Sequence, residues 1–219
     1  MSDDGAEIHS VPTGTHGRVL IAAARAAAAR GLIVGFHGYG ETAAIQLARL
    51  QAIPGAAAWT RVSVQGLHRF YDRNGREVMA HWMTSEDREL AIADNIAYVD
   101  AVVAAVAAAH PFERLVFLGF SQGTAMASRA AAHAGDRCHG LVLLGGDVAP
   151  EVLASGARLP RTIIGRGTSD RYYAAEQFTA DSEALEERGV LAAAIEFKGG
   201  HEFSPMFRAA AAALIQALA

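Results

Sequence analysis

The stretch Gly119-Phe120-Ser121-Gln122-Gly123 places one hydroxyl between two glycines. An apolar run, Arg114 to Phe120, leads in, and a small-residue, helix-like run leads out. The chemistry open to such a serine is nucleophilic attack on a carbonyl, provided a neighbouring base takes its proton. The pattern G-x-S-x-G is weak alone. Its place directly after a strand-like run and at the start of a helix-like one matches a nucleophile elbow. A turn that sharp strains the serine backbone, and only small neighbours let chain and substrate pass so close. The helix N-terminus behind it favours a developing negative charge. The competing reading is a plain serine N-cap in a glycine-bounded loop.

A serine nucleophile needs a base, and the base needs an orienting acid; where the serine sits on a strand-to-helix elbow, the chain order is Ser, Asp or Glu, His. Three histidines follow Ser121. His133 lies in the helix-like run after the serine. His139 stands before the apolar run "GLVLLGG", at the wrong end of a strand. His201 follows "IEFKGG", at the right end, and is the candidate base. Two aspartates follow strand ends, Asp147 after "VLLGG" and Asp170 after "IIGRGTS". The triad logic fits either. Asp170 lies one strand before the histidine strand, the commoner placement, and Asp147 is the fallback. An oxyanion hole needs two N–H donors. The residue after the serine, Gln122, supplies one. The loop "GFHGYGE" after the early strand "LIVGF" supplies the other, with the Tyr39 N–H as candidate. His37 in that loop is read as a packed, hydrogen-bonded histidine rather than a second base.

These residues need a frame that presents strand ends side by side. "RVLIAA", "LIVGF", "RVSVQ", "RLVFLGF", "GLVLLGG", "RTIIGRG" and "AAIEFKGG" recur with helix-like stretches between them. Continuous Val/Ile/Leu runs fit strands buried on both faces, and their alternation with helices predicts a mostly parallel α/β sheet. "IHSV" is a candidate edge hairpin partner for the first run. A helix runs from about Glu89 to Ala109, another ends at Gly135, and a last one opens at Ser204-Pro205. Gly66 to Glu89 reads as a long polar, aromatic loop. Within it Phe70, Tyr71, Trp82 and Met83 are candidates to line the substrate site. In open α/β sheets, ligands bind outside the carboxyl ends of the strands.

The chain has 219 residues, 52% of them hydrophobic, which predicts one domain over 1–219, with 1–14 a flexible start or edge strand. A net charge of -4 without a basic run argues against a nucleic-acid partner. Cys138 is the one cysteine, so an intrachain disulfide is excluded and a reducing compartment is favoured. No Cys/His cluster has zinc-ligand spacing, and acyl transfer by serine requires neither metal nor cofactor. The polar, acidic start and the short or charged alanine runs predict no signal segment and no membrane span, hence a soluble, cytoplasmic protein. The alanine-rich surface favours neither monomer nor oligomer.

In order and spacing, "GFHGYGE", "GFSQG", "GTSD" and "GGHEF" resemble the phospholipase/carboxylesterase family of α/β-hydrolases, which includes acyl-protein thioesterases and small bacterial carboxylesterases. The resemblance runs from about Arg18 to the C-terminus. It implies the α/β-hydrolase fold, a mostly parallel central sheet flanked by helices. It also implies Ser121 as nucleophile, Asp170 as acid, His201 as base, and oxyanion donors at Tyr39 and Gln122. The segment Gly146 to Pro160, where many relatives insert a cap, is short, so a minimal lid or none is expected. The thioesterase members typically read H-G-L-G-D where this chain reads His37-Gly38-Tyr39-Gly40-Glu41, and a tyrosine there would narrow the acyl entrance. Dienelactone hydrolases share the fold but place a cysteine where this chain has Ser121. The expected function is hydrolysis of small to medium carboxylic esters through an acyl-enzyme, with a small-molecule ester or thioester as partner. Acyl-thioesterase, lysophospholipase or peptidase action at the same site is the alternative. A non-catalytic binding module on the same fold is the remaining one.

Overall fold

The computed structural model describes residues 7–25 and 29–218. The first six residues of the acidic start and Ala26–Ala28 of the alanine run lie outside them. The described strands are β1 (Arg18–Ala22), β2 (Leu32–Phe36), β3 (Thr60–Gln65), β4 (His68–Tyr71), β5 (Val78–His81), β6 (Leu115–Phe120), β7 (Gly140–Leu144), β8 (Arg161–Gly167) and β9 (Leu191–Phe197). The seven apolar runs of the sequence become a seven-stranded sheet in the order β1-β3-β2-β6-β7-β8-β9. Every neighbouring pair is parallel except β1 with β3.

The helices are α1 (Ala43–Gln51), α2 (Arg88–Ala109), α3 (Gln122–Ala134), α4 (Pro150–Ala154), α5 (Ala175–Glu187) and α6 (Pro205–Ala217). Leu50 of α1 and Phe207 of α6 bury against one face of the sheet with Ile33, Leu118 and Leu144. Val99 of α2, Met126 of α3 and Leu185 of α5 bury against the other with Val34, Phe117 and Leu143. Burial on both faces is why β2, β6 and β7 read as unbroken apolar runs. α2 is long and apolar enough to cross a bilayer by length and composition alone. Here Asn95, Val99, Val102 and Val106 bury on the sheet side, and Asn95 donates to the Trp82 and Ala91 carbonyls.

The chain winds outward in opposite directions from the β2–β6 pair, so the loops after β2 and β6 emerge side by side at the carboxyl edge. Two expectations are corrected. Ile8–Val11 forms no strand, and its apolar side chains are exposed. β1 takes its hydrogen bonds from β3 instead, in register from Arg18↔Gln65 to Ala22↔Arg61. The Gly66–Glu89 segment is no simple loop. β4 and β5 pair in an antiparallel hairpin whose turn is closed by Asp72, which accepts from the Arg76 and Glu77 N–H groups. Two four-residue strands with mixed composition carry too short a period to stand out in sequence. Between Gly146 and Pro160 the chain forms only α4, five residues long, so no cap domain covers the carboxyl edge.

Candidate active site

Ser121 lies where β6 turns into α3, with φ 53° and ψ -125°. A non-glycine residue held at positive φ costs on the order of 1–3 kcal/mol and persists only where its surroundings enforce it. The Ser121 N–H donates to the Leu144 carbonyl, and its own carbonyl accepts from Thr124, both from the N–H and from Oγ1. At Gly123 the elbow passes so close to the neighbouring strand that a β-carbon would stand 2.2 Å from the Phe36 carbonyl oxygen. Gln122 opens α3, so its N–H is one of the first-turn donors that the helix leaves unpaired.

Asp170 sits three residues beyond β8 and His201 four beyond β9. The two loops are tied by Thr168 N–H to the Phe197 carbonyl and Ser169 N–H to the Gly199 carbonyl, both at 2.8 Å. His201 Nδ1 and Asp170 Oδ2 are 2.8 Å apart. The other carboxylate oxygen accepts from the Tyr172 and Tyr173 N–H groups, and the aspartate is 8% exposed. The imidazole packs against Phe120, the residue before Ser121, with ring centroids 4.8 Å apart. Gly145, just past β7, leaves the space it fills: a β-carbon there would come within 3.0 Å of His201 Cε1. Tyr172, 82% exposed, lies over the ring at 4.9 Å. Asp181 of α5 braces the region by accepting from the Tyr173 hydroxyl at 2.7 Å and the Val148 N–H at 3.2 Å. Burial pushes the Asp181 carboxyl up and the Tyr173 hydroxyl up as well, the latter reinforced by Asp181.

Asp147 is exposed, and its carbonyl is the acceptor for the Thr124 hydroxyl. The structure brings Asp170, not Asp147, to the histidine. His133 pairs with Asp100 at 2.6 Å on the protein surface, and His139 meets Leu115 N–H at the opposite end of the sheet.

On the other side of Ser121 runs the loop after β2. A β-carbon on Gly38 would stand 3.1 Å from Ser121 Cβ, so the two turns are in contact. His37 is fully buried between them. Its Nδ1 bonds the Gly38 carbonyl at 2.7 Å and its Nε2 accepts the Gly66 N–H at 3.0 Å, which sets the tautomer. Burial holds its pKa below the ordinary histidine value. The packed, hydrogen-bonded reading of His37 therefore matches its surroundings. The Tyr39 ring is 61% exposed and stacks on His81 and Phe70.

The four expected lining residues separate. Phe70 is partly exposed in that aromatic stack, and Tyr71 is exposed on the same hairpin. Trp82 is not at the surface. Its ring packs on Phe36 and His37 and its Nε1–H donates to the His37 carbonyl, so it supports the loop from beneath. Met83 is nearly buried, and its carbonyl accepts from Gln122 Nε2 at 3.0 Å. Met83 and Gln122 line one wall of an open groove with Arg88, Arg129 and Asp147.

Sequence reasoning missed Glu41 and Arg49. The Glu41 carboxylate accepts the Gly38 N–H at 2.8 Å and takes the Arg49 guanidinium on both oxygens at 2.6 Å. Burial alone would raise its pKa, but the Arg49 fork and the Gly38 N–H outweigh that and hold it low. The only sequence signal was an acid closing the glycine loop; its partner lies eight residues on, across the start of α1.

A family model described as the alpha/beta hydrolase fold matches residues 58–181, more than half of the chain. No curated protein matches the sequence. Among solved structures, esterase PE8 superposes with a TM-score of 0.75 at 20% identity, over 94% of this chain and 100% of that one. Acyl-protein thioesterase 2 of Zea mays gives 0.70 at 18%, over 93% and 99%. The Bacillus cereus carboxylesterase gives 0.70 at 17%, over 93% and 95%. Likeness at this identity establishes a shared architecture. With the family match running from the edge of β3 into α5, the chain belongs to the alpha/beta hydrolase fold family.

Proposed function

We propose that this chain is a serine hydrolase that cleaves small to medium carboxylic esters through an acyl-enzyme, within the phospholipase/carboxylesterase branch of the fold. The observation that carries the reading is the convergence at the β2–β6 switch point. A serine at positive φ is followed along the fold by a buried Asp170 paired with a half-buried His201, whose imidazole packs on Phe120, the residue before the serine.

In this mechanism Ser121 Oγ attacks the ester carbonyl while His201 Nε2 takes its proton. Asp170 bonds Nδ1, fixes the tautomer and stabilises the imidazolium. The Tyr39 and Gln122 N–H groups hold the oxyanion. His201 returns the proton to the leaving alcohol, and a water activated by the same histidine then releases the acid. Neither a metal nor a cofactor enters these steps. The uncapped carboxyl edge and the exposed Tyr39 and Tyr172 suit a small, accessible ester. A cytoplasmic setting belongs to the proposal and is supported by the lone, buried Cys138.

Ser121→Ala is expected to remove p-nitrophenyl butyrate hydrolysis by several orders of magnitude, roughly 10³-fold or more, and to abolish labelling by a fluorophosphonate. Retained turnover would refute the assignment. The likeness to an acyl-protein thioesterase supports thioester cleavage as a second reading. Comparing C2, C4, C8 and C12 esters with an acyl-thioester separates the two.

A further inference from the structure

Glu41 grips the loop after β2 from two directions. Its carboxylate accepts the Gly38 N–H, and its own N–H donates to the Gly38 carbonyl at 3.3 Å. His37 Nδ1 bonds that same carbonyl at 2.7 Å. In a trans peptide the carbonyl and the following N–H point in opposite directions. Anchoring the Gly38 oxygen therefore aims the Tyr39 N–H the other way, where it finds no acceptor among the described residues. Gly40 N–H is bound to the Ala80 carbonyl and Ala80 N–H to the Glu41 carbonyl, so the next turn of the loop is fixed to the hairpin.

Arg49 extends the clamp to the other half of the site. While forking onto Glu41, its guanidinium lies over the Phe120 ring, with Cζ 3.9 Å from the centroid. Phe120 in turn packs on His201 and is bonded covalently to Ser121. Exposed ion pairs contribute little, but this one is bidentate and its side chains are only 16% and 20% exposed. Such a pair is rigid and little screened by water.

We infer that Glu41 and Arg49 are positioning residues for ester hydrolysis: with His37 they lock the Gly38–Tyr39 peptide so that the Tyr39 N–H is held ready for an oxyanion, and they couple that loop to Phe120 and His201. The inference rests on the serine-hydrolase reading above. A mere structural brace makes a different prediction. It lowers stability without weakening transition-state binding selectively, because only a misaimed oxyanion donor acts on the charged tetrahedral state more than on the ester.

Glu41→Gln keeps an acceptor for the Gly38 N–H but loses the charge, and Arg49→Lys keeps the charge but loses the fork and the flat stack on Phe120. In the full chain each variant is measured for kcat and KM on p-nitrophenyl butyrate, for inhibition by 1,1,1-trifluoro-2-octanone, and for its unfolding midpoint. The trifluoroketone forms a tetrahedral oxyanion on a serine. A fall in kcat of about 10- to 100-fold is expected, with KM within about twofold and Ki for the ketone raised in step with the lost kcat/KM. An unchanged Ki, or a lowered midpoint with kcat intact, in whichever variant folds, would overturn the inference. Wild-type protein that neither hydrolyses the ester nor takes a fluorophosphonate would overturn the serine-hydrolase reading instead.

Discussion

Ser121 is set apart by its backbone before its side chain. Two non-glycine residues have positive φ among those described, and one of them is this serine. The strain is held by a carbonyl of β7 on its N–H and by Thr124 on its carbonyl, so bonds to the serine backbone fix the turn. Which carboxylate meets His201 is likewise a matter of single residues. Asp170 is buried, accepts two backbone N–H bonds, and meets His201 with its second oxygen, whereas Asp147 is exposed and away from the ring. Asp170→Asn is therefore expected to cost on the order of 10⁴-fold in kcat by presenting the wrong hydrogen-bond partner to the imidazole. Asp147→Asn should stay within about twofold of wild type, since the exposed carboxylate makes no ion pair among the described residues and its field on Arg129 is screened by solvent. Ester hydrolysis by the two variants side by side checks this, and equal effects would remove Asp170 from its role.

At the level of elements the candidate site stands on four strand ends, β8 and β9 carrying Asp170 and His201, and β2 and β6 the two turns that meet at Ser121. β2 and β6 are hydrogen-bonded from Leu32↔Leu115 to Phe36↔Gly119, so the loop after β2 and the turn at Ser121 leave the sheet from adjacent positions. The first turn of α3 must then pass across the end of β2. Gly123→Ala would drive a methyl group to 2.2 Å from the Phe36 carbonyl and 2.7 Å from that of His37, against backbone that has no room to yield. The expected cost is about 1–3 kcal/mol or more in urea unfolding, with activity falling further than stability because the elbow itself is displaced. The β4–β5 hairpin completes the frame. Gln122 joins the elbow to it through the Trp82 N–H and the Met83 carbonyl, and Tyr39 rests its ring on Phe70 and His81.

For the molecule as a whole, stability and the site meet in His37. Its two ring nitrogens link the loop after β2 to the end of β3, and Trp82 closes over its carbonyl. Burial lowers its folded-state pKa below the ordinary value of 6.5. The unfolded chain therefore binds the proton more readily than the folded one. The stability that the neutral ring contributes is complete above the ordinary value and is lost as pH falls towards the lower, folded one. Unfolding free energy should drop as pH falls below about 6.5, with this residue contributing a slope of at most about 1.4 kcal/mol per pH unit. His37→Asn should flatten that slope; a variant as pH-sensitive as wild type would contradict it. Cys138, whose thiol burial pushes up to about 12, adds nothing to this titration.

The order of apolar runs and the glycines around Ser121 are enough to read a mostly parallel sheet and a sharp strand-to-helix turn at the serine. Those features are local: a buried strand shows its composition, and a sharp turn shows its small residues. Strand spacing favours Asp170 over Asp147 only by placement, because both follow strand ends; the packing of neighbouring loops puts Asp170 against His201. The hairpin was invisible for want of length, and Trp82 was misplaced because a tryptophan in a polar segment gives no sign of which way it turns. Glu41 and Arg49 belong to the same class. Their pairing joins a loop to the last turn of α1, and its meaning comes from Gly38 on one side and Phe120 on the other. Sequence alone determined the apolar strands of the main sheet and the long helices between them. Tertiary structure decided which of their ends touch, because hydrogen-bond and ring geometry depend on distances that chain spacing does not set.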